Sequence, residues 1–157
     1  MDKKFKGKAG IIGWFTLRHL RNGKLLEERT IDNTVVNAGF AEVAGLMLTD
    51  VGGTAFDYVA IGTGTTAVAV TDTTLETEIT TGGGERAAAV GTRQTTSVAN
   101  DTAQLIVVFT FTDSFAVTES GVLNAGAVGT LLSRQTFAAI NVASGDSIEV
   151  TWKIQVS

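Results

Sequence analysis

Between Ile148 and Val156 the chain alternates without a break. Ile148, Val150, Trp152, Ile154 and Val156 are interleaved with Glu149, Thr151, Lys153 and Gln155. A strand sends successive side chains to opposite faces, so this pattern describes a strand with one buried face; a helix would scatter the same residues around its axis. A second run repeats the logic. Ala103, Leu105, Val107, Phe109 and Phe111 share one face, with Gln104, Thr110 and Thr112 on the other. Asn100-Asp101 and Ser144-Gly145-Asp146 stand before these runs as turn signals.

The rest of the chain extends the pattern. Gly10 to Ile31 reads as a hairpin closed by Asn22-Gly23, because a type I′ turn needs positive φ at both central residues and Asn-Gly tolerates it best. Apolar residues begin both sides of its first strand, which suggests a second buried face or a partner. Further strands are expected at Phe56–Ile61, Glu85–Thr95, Val117–Leu123 and Gly129–Ala138. One helix is expected from Asn37 to Thr49, capped by the Asn37 side chain. Its apolar face would hold Phe40, Val43, Ala44, Met47 and Leu48, and Gly39 and Gly45 would weaken it. Asp72 to Glu78 suggests a short capped turn. Short strands at near-regular spacing predict an all-β sandwich or barrel.

Composition removes many chemistries. With no Cys among 157 residues, disulfide scaffolds, thiolate metal sites and Cys nucleophiles are excluded. The single His, His19, excludes multi-His metal sites. Pro is absent where about 5% is usual, so the turns must rest on Gly, Asn and Asp. The 44% hydrophobic content argues against disorder. Residues 1–10 hold four lysines and almost nothing to bury, and read as a flexible basic arm before a single domain spanning 11–157. The first 36 residues carry eight Lys/Arg and four acids, whereas the remainder carries four and twelve. The net charge of −4 argues against nucleic acid as a partner. No segment approaches the ~18 consecutive apolar residues of a membrane span, and Ile11–Phe15 is too short for a secretion signal. The chain is therefore expected to be soluble and made in the cytoplasm.

Candidate sites were weighed residue by residue. Gly62-Thr-Gly64-Thr-Thr-Ala67 has the G-x-G-x-x-A spacing of a dinucleotide loop, but no helical period follows to receive a pyrophosphate, so a Gly-permitted loop is expected. Glu76, Glu78, Glu85 and Glu119 are the acids expected near one another, yet the low aromatic content (7%) leaves a glycoside hydrolase without sugar platforms. Glu78 and Arg86 are expected to form an ion pair, and Glu119 to bind local backbone or an Arg. His19 is expected at the surface or in strand pairing, and Trp14 and Trp152 in the core. No catalytic, cofactor or metal residue emerges, and no cofactor is expected.

Four segments carry a family resemblance: Asn37-Ala-Gly-Phe40; Phe56 to Thr66 with Asp72 to Ile79; Thr118-Glu-Ser-Gly-Val-Leu-Asn124; and Ser144 to Ile154. In this order they resemble a broad group of phage virion structural proteins, of the head decoration (cement) or tail-fibre-like kind. The resemblance implies a non-enzymatic antiparallel β-sandwich, jelly-roll-like, that assembles into oligomers on a particle. The function it implies is capsid decoration, binding across capsomers at the virion surface; the alternative is a tail or tail-fibre component that binds a receptor or glycan. Expected partners are the major capsid protein and copies of the chain itself, a trimer ahead of a dimer. The partner-binding residues expected are Lys3, Lys4, Lys6 and Lys8 on the arm, with Trp14 and Arg18 on the first strand.

Overall fold

A computed structural model of the protein describes residues 10–157. The four arm lysines therefore lie outside the described residues. Two five-stranded antiparallel sheets pack as a sandwich. The first contains β1 (Ile11–Arg21), β2 (Lys24–Asp32), β6 (Val90–Gln94), β7 (Thr102–Thr110) and β10 (Asp146–Val156), in the order β2-β1-β10-β7-β6. The second contains β3 (Thr34–Val35), β4 (Tyr58–Gly62), β5 (Ala87–Ala88), β8 (Phe115–Leu123) and β9 (Leu131–Val142), in the order β3-β9-β8-β4-β5. Among the described residues one helix, α1 (Asn37–Leu46), lies between β3 and β4 in the chain. It is too short to cross a membrane.

The alternating runs do what their period demands. Ile148, Val150, Trp152 and Ile154 of β10 are buried, as are Leu105, Val107 and Phe109 of β7. They meet Val59, Ile61, Val117, Val122 and Ile140 of the opposite sheet in one core. Trp152 stacks on Phe15 of β1, with centroids 4.3 Å apart and planes 17° from parallel. Its indole N–H donates to Ser120 Oγ on β8 at 3.1 Å, and Ser120 Oγ donates to the Ala60 carbonyl on β4 at 2.9 Å. The largest core side chain is thus packed in one sheet and hydrogen-bonded to the other, which leaves its polar atom satisfied. Trp14 does not share this fate: it points to the outer face of β1 and is only half-buried, because its neighbours Phe15 and Leu17 take the inward positions.

The hairpin closes as its turn chemistry dictates, with φ of 51° at Asn22 and 73° at Gly23. The segment expected as one strand from Glu85 to Thr95 is two. Ala87–Ala88 pairs with β4, and Val90–Gln94 pairs with β7 in the other sheet. Ala89 sits at the crossing, its N–H donating to the Asp57 carbonyl at 2.8 Å. One chain segment therefore closes a corner of the sandwich.

The helix corrects the sequence reading in two respects. Val36 occupies the N-cap position without a side-chain cap, and Asn37 is already helical. The buried helix residues are Gly39 and Gly45, while Phe40, Met47 and Leu48 are 45%, 77% and 55% exposed. The cause is a backbone-to-backbone approach. A Cβ on Gly39 would collide with the Leu132 carbonyl and lie 2.7 Å from Leu132 Cα, and one on Gly45 would lie 2.8 Å from the Gly52 carbonyl oxygen. Of the expected apolar face only Val43 packs against the core, and Met47 and Leu48 lie beyond the helix, which ends at Leu46; hydrophobic periodicity ranks glycine as neutral and so missed the buried Gly39 and Gly45.

Gly39→Ala tests this packing. Ala is the better helix former by about 1 kcal/mol. The collision with β9 should nevertheless destabilise the fold by about 1–3 kcal/mol in urea denaturation, whereas exposed Ala44→Gly should cost only the propensity difference.

Candidate functional site

The charged residue at the centre of the second sheet is Glu119, on β8 and fully buried. One carboxylate oxygen accepts the N–H of Gly64 at 3.1 Å and of Thr77 at 2.7 Å. The other accepts the N–H of Glu76 at 3.1 Å and Nε of Arg134, on β9, at 2.7 Å. Arg134 is itself 2% exposed. Its remaining nitrogens donate to Asp72 Oδ2 at 2.7 Å and to the Thr66 carbonyl at 3.2 Å, and lie 3.6 Å from Glu76 Oε2. Burial pulls the Arg134 pKa down, but the bonds to Glu119 and Asp72 outweigh it and hold the guanidinium above its ordinary value. The Thr66 hydroxyl and N–H, each 2.7 Å from the Glu76 carboxylate, hold that group below its ordinary value.

This arrangement explains the G-x-G motif. A Cβ on Gly62 or Gly64 would lie 2.5 or 2.6 Å from Glu119 Oε1, so these glycines let a carboxylate reach loop backbone. No helix follows them; residues 63–77 form a loop that Glu119 and Arg134 sew onto the sheet. The short capped turn expected at Asp72–Glu78 is part of the same loop, and its acids face Arg134 and Arg86 rather than a helix terminus. Glu119 binds backbone and an arginine as its sequence context suggested. Arg86 grips Glu78 through two bonds of 2.8 and 2.6 Å, as expected, and also donates to the Ala125 and Val128 carbonyls. Glu85 is exposed and joins neither cluster.

His19 pairs within the first sheet, one of its two expected placements, and the surface alternative is corrected. It is buried, 6% exposed, and its Nε2 lies 2.8 Å from Asp146 Oδ2. Asp146 also takes two bonds from Arg21, at 2.7 and 2.8 Å, and the Ala143 N–H at 3.0 Å. Strand register makes the meeting: Arg21 pairs with Asp146 at the end of the β1–β10 ladder, placing a residue near the hairpin beside one from the far end of the chain. Arg21 above all, with His19 and Ala143, holds the Asp146 carboxyl well below the usual carboxylate range against the opposing effect of burial.

The two described partner-binding candidates share the outer face of β1. Trp14 stands between Asp32 and Lys153 on the neighbouring strands. Arg18 bridges Glu149 at 3.0 Å and Glu28 at 3.2 Å, so its charge is already countered within the sheet. Among the described residues, no three His, Asp or Glu side chains converge as metal ligands. The acids around Arg134 are occupied by N–H, O–H and guanidinium donors, an arrangement suited to holding a loop still. Sequence reasoning missed Arg134. The available signal was its isolation: between Asp113 and Asp146 the only charged residues are Glu119 and Arg134. Neither protein-family models, nor curated proteins, nor solved structures show a match to this chain.

Two outcomes follow from these clusters. Glu119→Ala should destabilise the fold by about 3–5 kcal/mol because it leaves Arg134 buried beside fewer acceptors. Arg134→Ala should act similarly, and the double variant should cost less than the two added together, as read from denaturation midpoints. The depressed Asp146 pKa makes stability dependent on acid. Its contribution is complete above the unfolded carboxyl pKa of about 3.9 and is lost as pH falls toward the folded value. Asp146→Asn should therefore flatten the stability profile below that pH, measured by thermal melts across an acid series.

Proposed function

We propose that this chain is a structural protein of a phage virion and that it decorates the capsid, binding across capsomers to stabilise the head. The observation that carries the reading is a strip of exposed apolar side chains on α1 and the loop beyond it: Phe40, Leu46, Met47, Leu48 and Val51. Apolar groups gathered in this way on a closed sandwich mark a contact surface. The internal ion pairs support the reading from the other side, since they consume polar groups to stiffen the protein. The family resemblance supplies the particle. Binding that favours only the assembled shell would stabilise it by mass action. Self-association, with a trimer ahead of a dimer, belongs to the same proposal, as does a location on the capsid surface.

A second reading keeps a tail or fibre component that binds glycan. It is favoured by Trp14, a half-exposed aromatic directly opposite Asp32 on the sheet face, a combination able to stack on a sugar and accept its hydroxyl protons.

Co-sedimentation with expanded capsid shells separates the two. Met47→Asp should weaken decoration at least tenfold, about 1.4 kcal/mol, and deletion of residues 2–8 should weaken it further. Unchanged binding by the deletion variant removes the arm from the interface. Absence of shell binding, with a positive glycan array lost in Trp14→Ala, replaces the capsid reading with the tail one.

A further inference from the structure

An apolar groove of about 590 Å³ runs between α1 with its following loop and one end of the first sheet. Val43, Leu46 and Phe56 form one wall, and Ile11, Leu105 and Ile154 the other. Three charged side chains border it. Asp101 is spent on its own turn, accepting the N–H groups of Thr96, Ser97 and Val98 and the Gln155 amide. Asp57 is exposed at the rim. Arg93 stands apart from the other arginines. Arg18, Arg21, Arg29, Arg86 and Arg134 each hold a carboxylate of their own chain, whereas Arg93 pairs with none among the described residues.

The complement to this groove lies next to it on the same chain. Leu46, Met47, Leu48 and Val51 form an apolar strip and are 45%, 77%, 55% and 70% exposed. Leu46 belongs to both features, so strip and groove meet along the C-terminal end of α1. Asp50 sits within the strip, exposed and without an ion pair among the described residues. One surface therefore offers a projecting apolar element that carries an acid and a recessed apolar element that carries an unpaired cation.

We propose that the groove is the docking site for a second copy of this chain, which inserts its strip from Met47 to Val51 and sets its Asp50 against Arg93. Burial of apolar surface on both sides drives the association. Met47, unbranched and flexible, fits an irregular groove without strain. The Asp50–Arg93 pair fixes the register of docking more than it adds affinity. Because one chain carries both halves, two copies can exchange strips about a two-fold axis, or several can pass them head to tail around a closed ring. This docking rests on the strip's being a contact surface, as proposed above, and needs no capsid.

Sedimentation equilibrium of the full-length protein without shells should give the mass of two or more copies, dissociating on dilution. Arg93→Glu and Asp50→Arg should each raise the dissociation constant about tenfold or more by bringing like charges together, and the two substitutions in one chain should restore it. Met47→Asp should leave single copies. All three side chains are exposed, so the variants should keep the parent's thermal midpoint in dilute protein. Single copies of the parent at every concentration overturn the proposal, as does a parent monomer that carries an apolar small molecule in native mass spectra. So does an association that the charge reversals leave unchanged or that the double reversal fails to restore. Shell decoration by a monomeric parent overturns the docking and leaves the capsid reading standing; self-association of a protein that binds no shell does the reverse.

Discussion

The Glu119–Arg134 pair fastens a long loop to two neighbouring strands of the second sheet. Each residue projects from a strand of the second sheet, and together they hold residues 63–77 through backbone N–H groups and a carbonyl. Isolated charges of this kind would be costly at such depth. They persist because every strong direction of each group is matched: the carboxylate by three amides and a guanidinium nitrogen, the guanidinium by two carboxylates and a carbonyl. The loop's long excursion without regular secondary structure is thereby converted into a rigid part of the sandwich. Its buried residue Leu75, and Ile79 just beyond it, can then pack against the sheet.

The same device recurs at smaller scale. Asp146 ties the end of β10 to β1 through Arg21 and His19, and Glu78 ties the loop to Arg86 and, through it, to the turn after β8. Between the sheets, the Trp152–Ser120–Ala60 chain adds direction to a core that is otherwise apolar and non-directional. Rigidity of this sort suits the surface role proposed above. The apolar residues that the fold leaves outside, on α1 and beyond, then stand out against a well-satisfied interior.

The strands were legible where one periodicity dominated. In β7 and β10 the period of two, with its turn signals, placed both the element and its buried face. Asn22-Gly23 placed a turn because few other dipeptides tolerate its backbone. The helix was legible as a helix but not in its orientation, since the contact at Gly39 depends on the absence of a side chain and leaves no hydrophobic mark. Trp14 and Trp152 sit in similar apolar stretches; the first faces out because Phe15 and Leu17 occupy the inward positions of β1. Glu119 was recognisable as a backbone or arginine binder, whereas Arg134 was visible only as an unusual charge in a long neutral stretch.

What the sequence by itself determined was local: which segments alternate, where glycine and asparagine permit a turn, and which chemistries the missing Cys and solitary His preclude. These follow from covalent geometry and side-chain chemistry within a few residues. Tertiary structure alone decided that Ala89 would cross from one sheet to the other, that His19 would meet Asp146, and that Gly62 and Gly64 would admit the buried Glu119 carboxylate. The residues involved are separated by tens of positions in the chain. Strand register brings them to within 3 Å of one another, and nothing in a local pattern encodes register between distant strands.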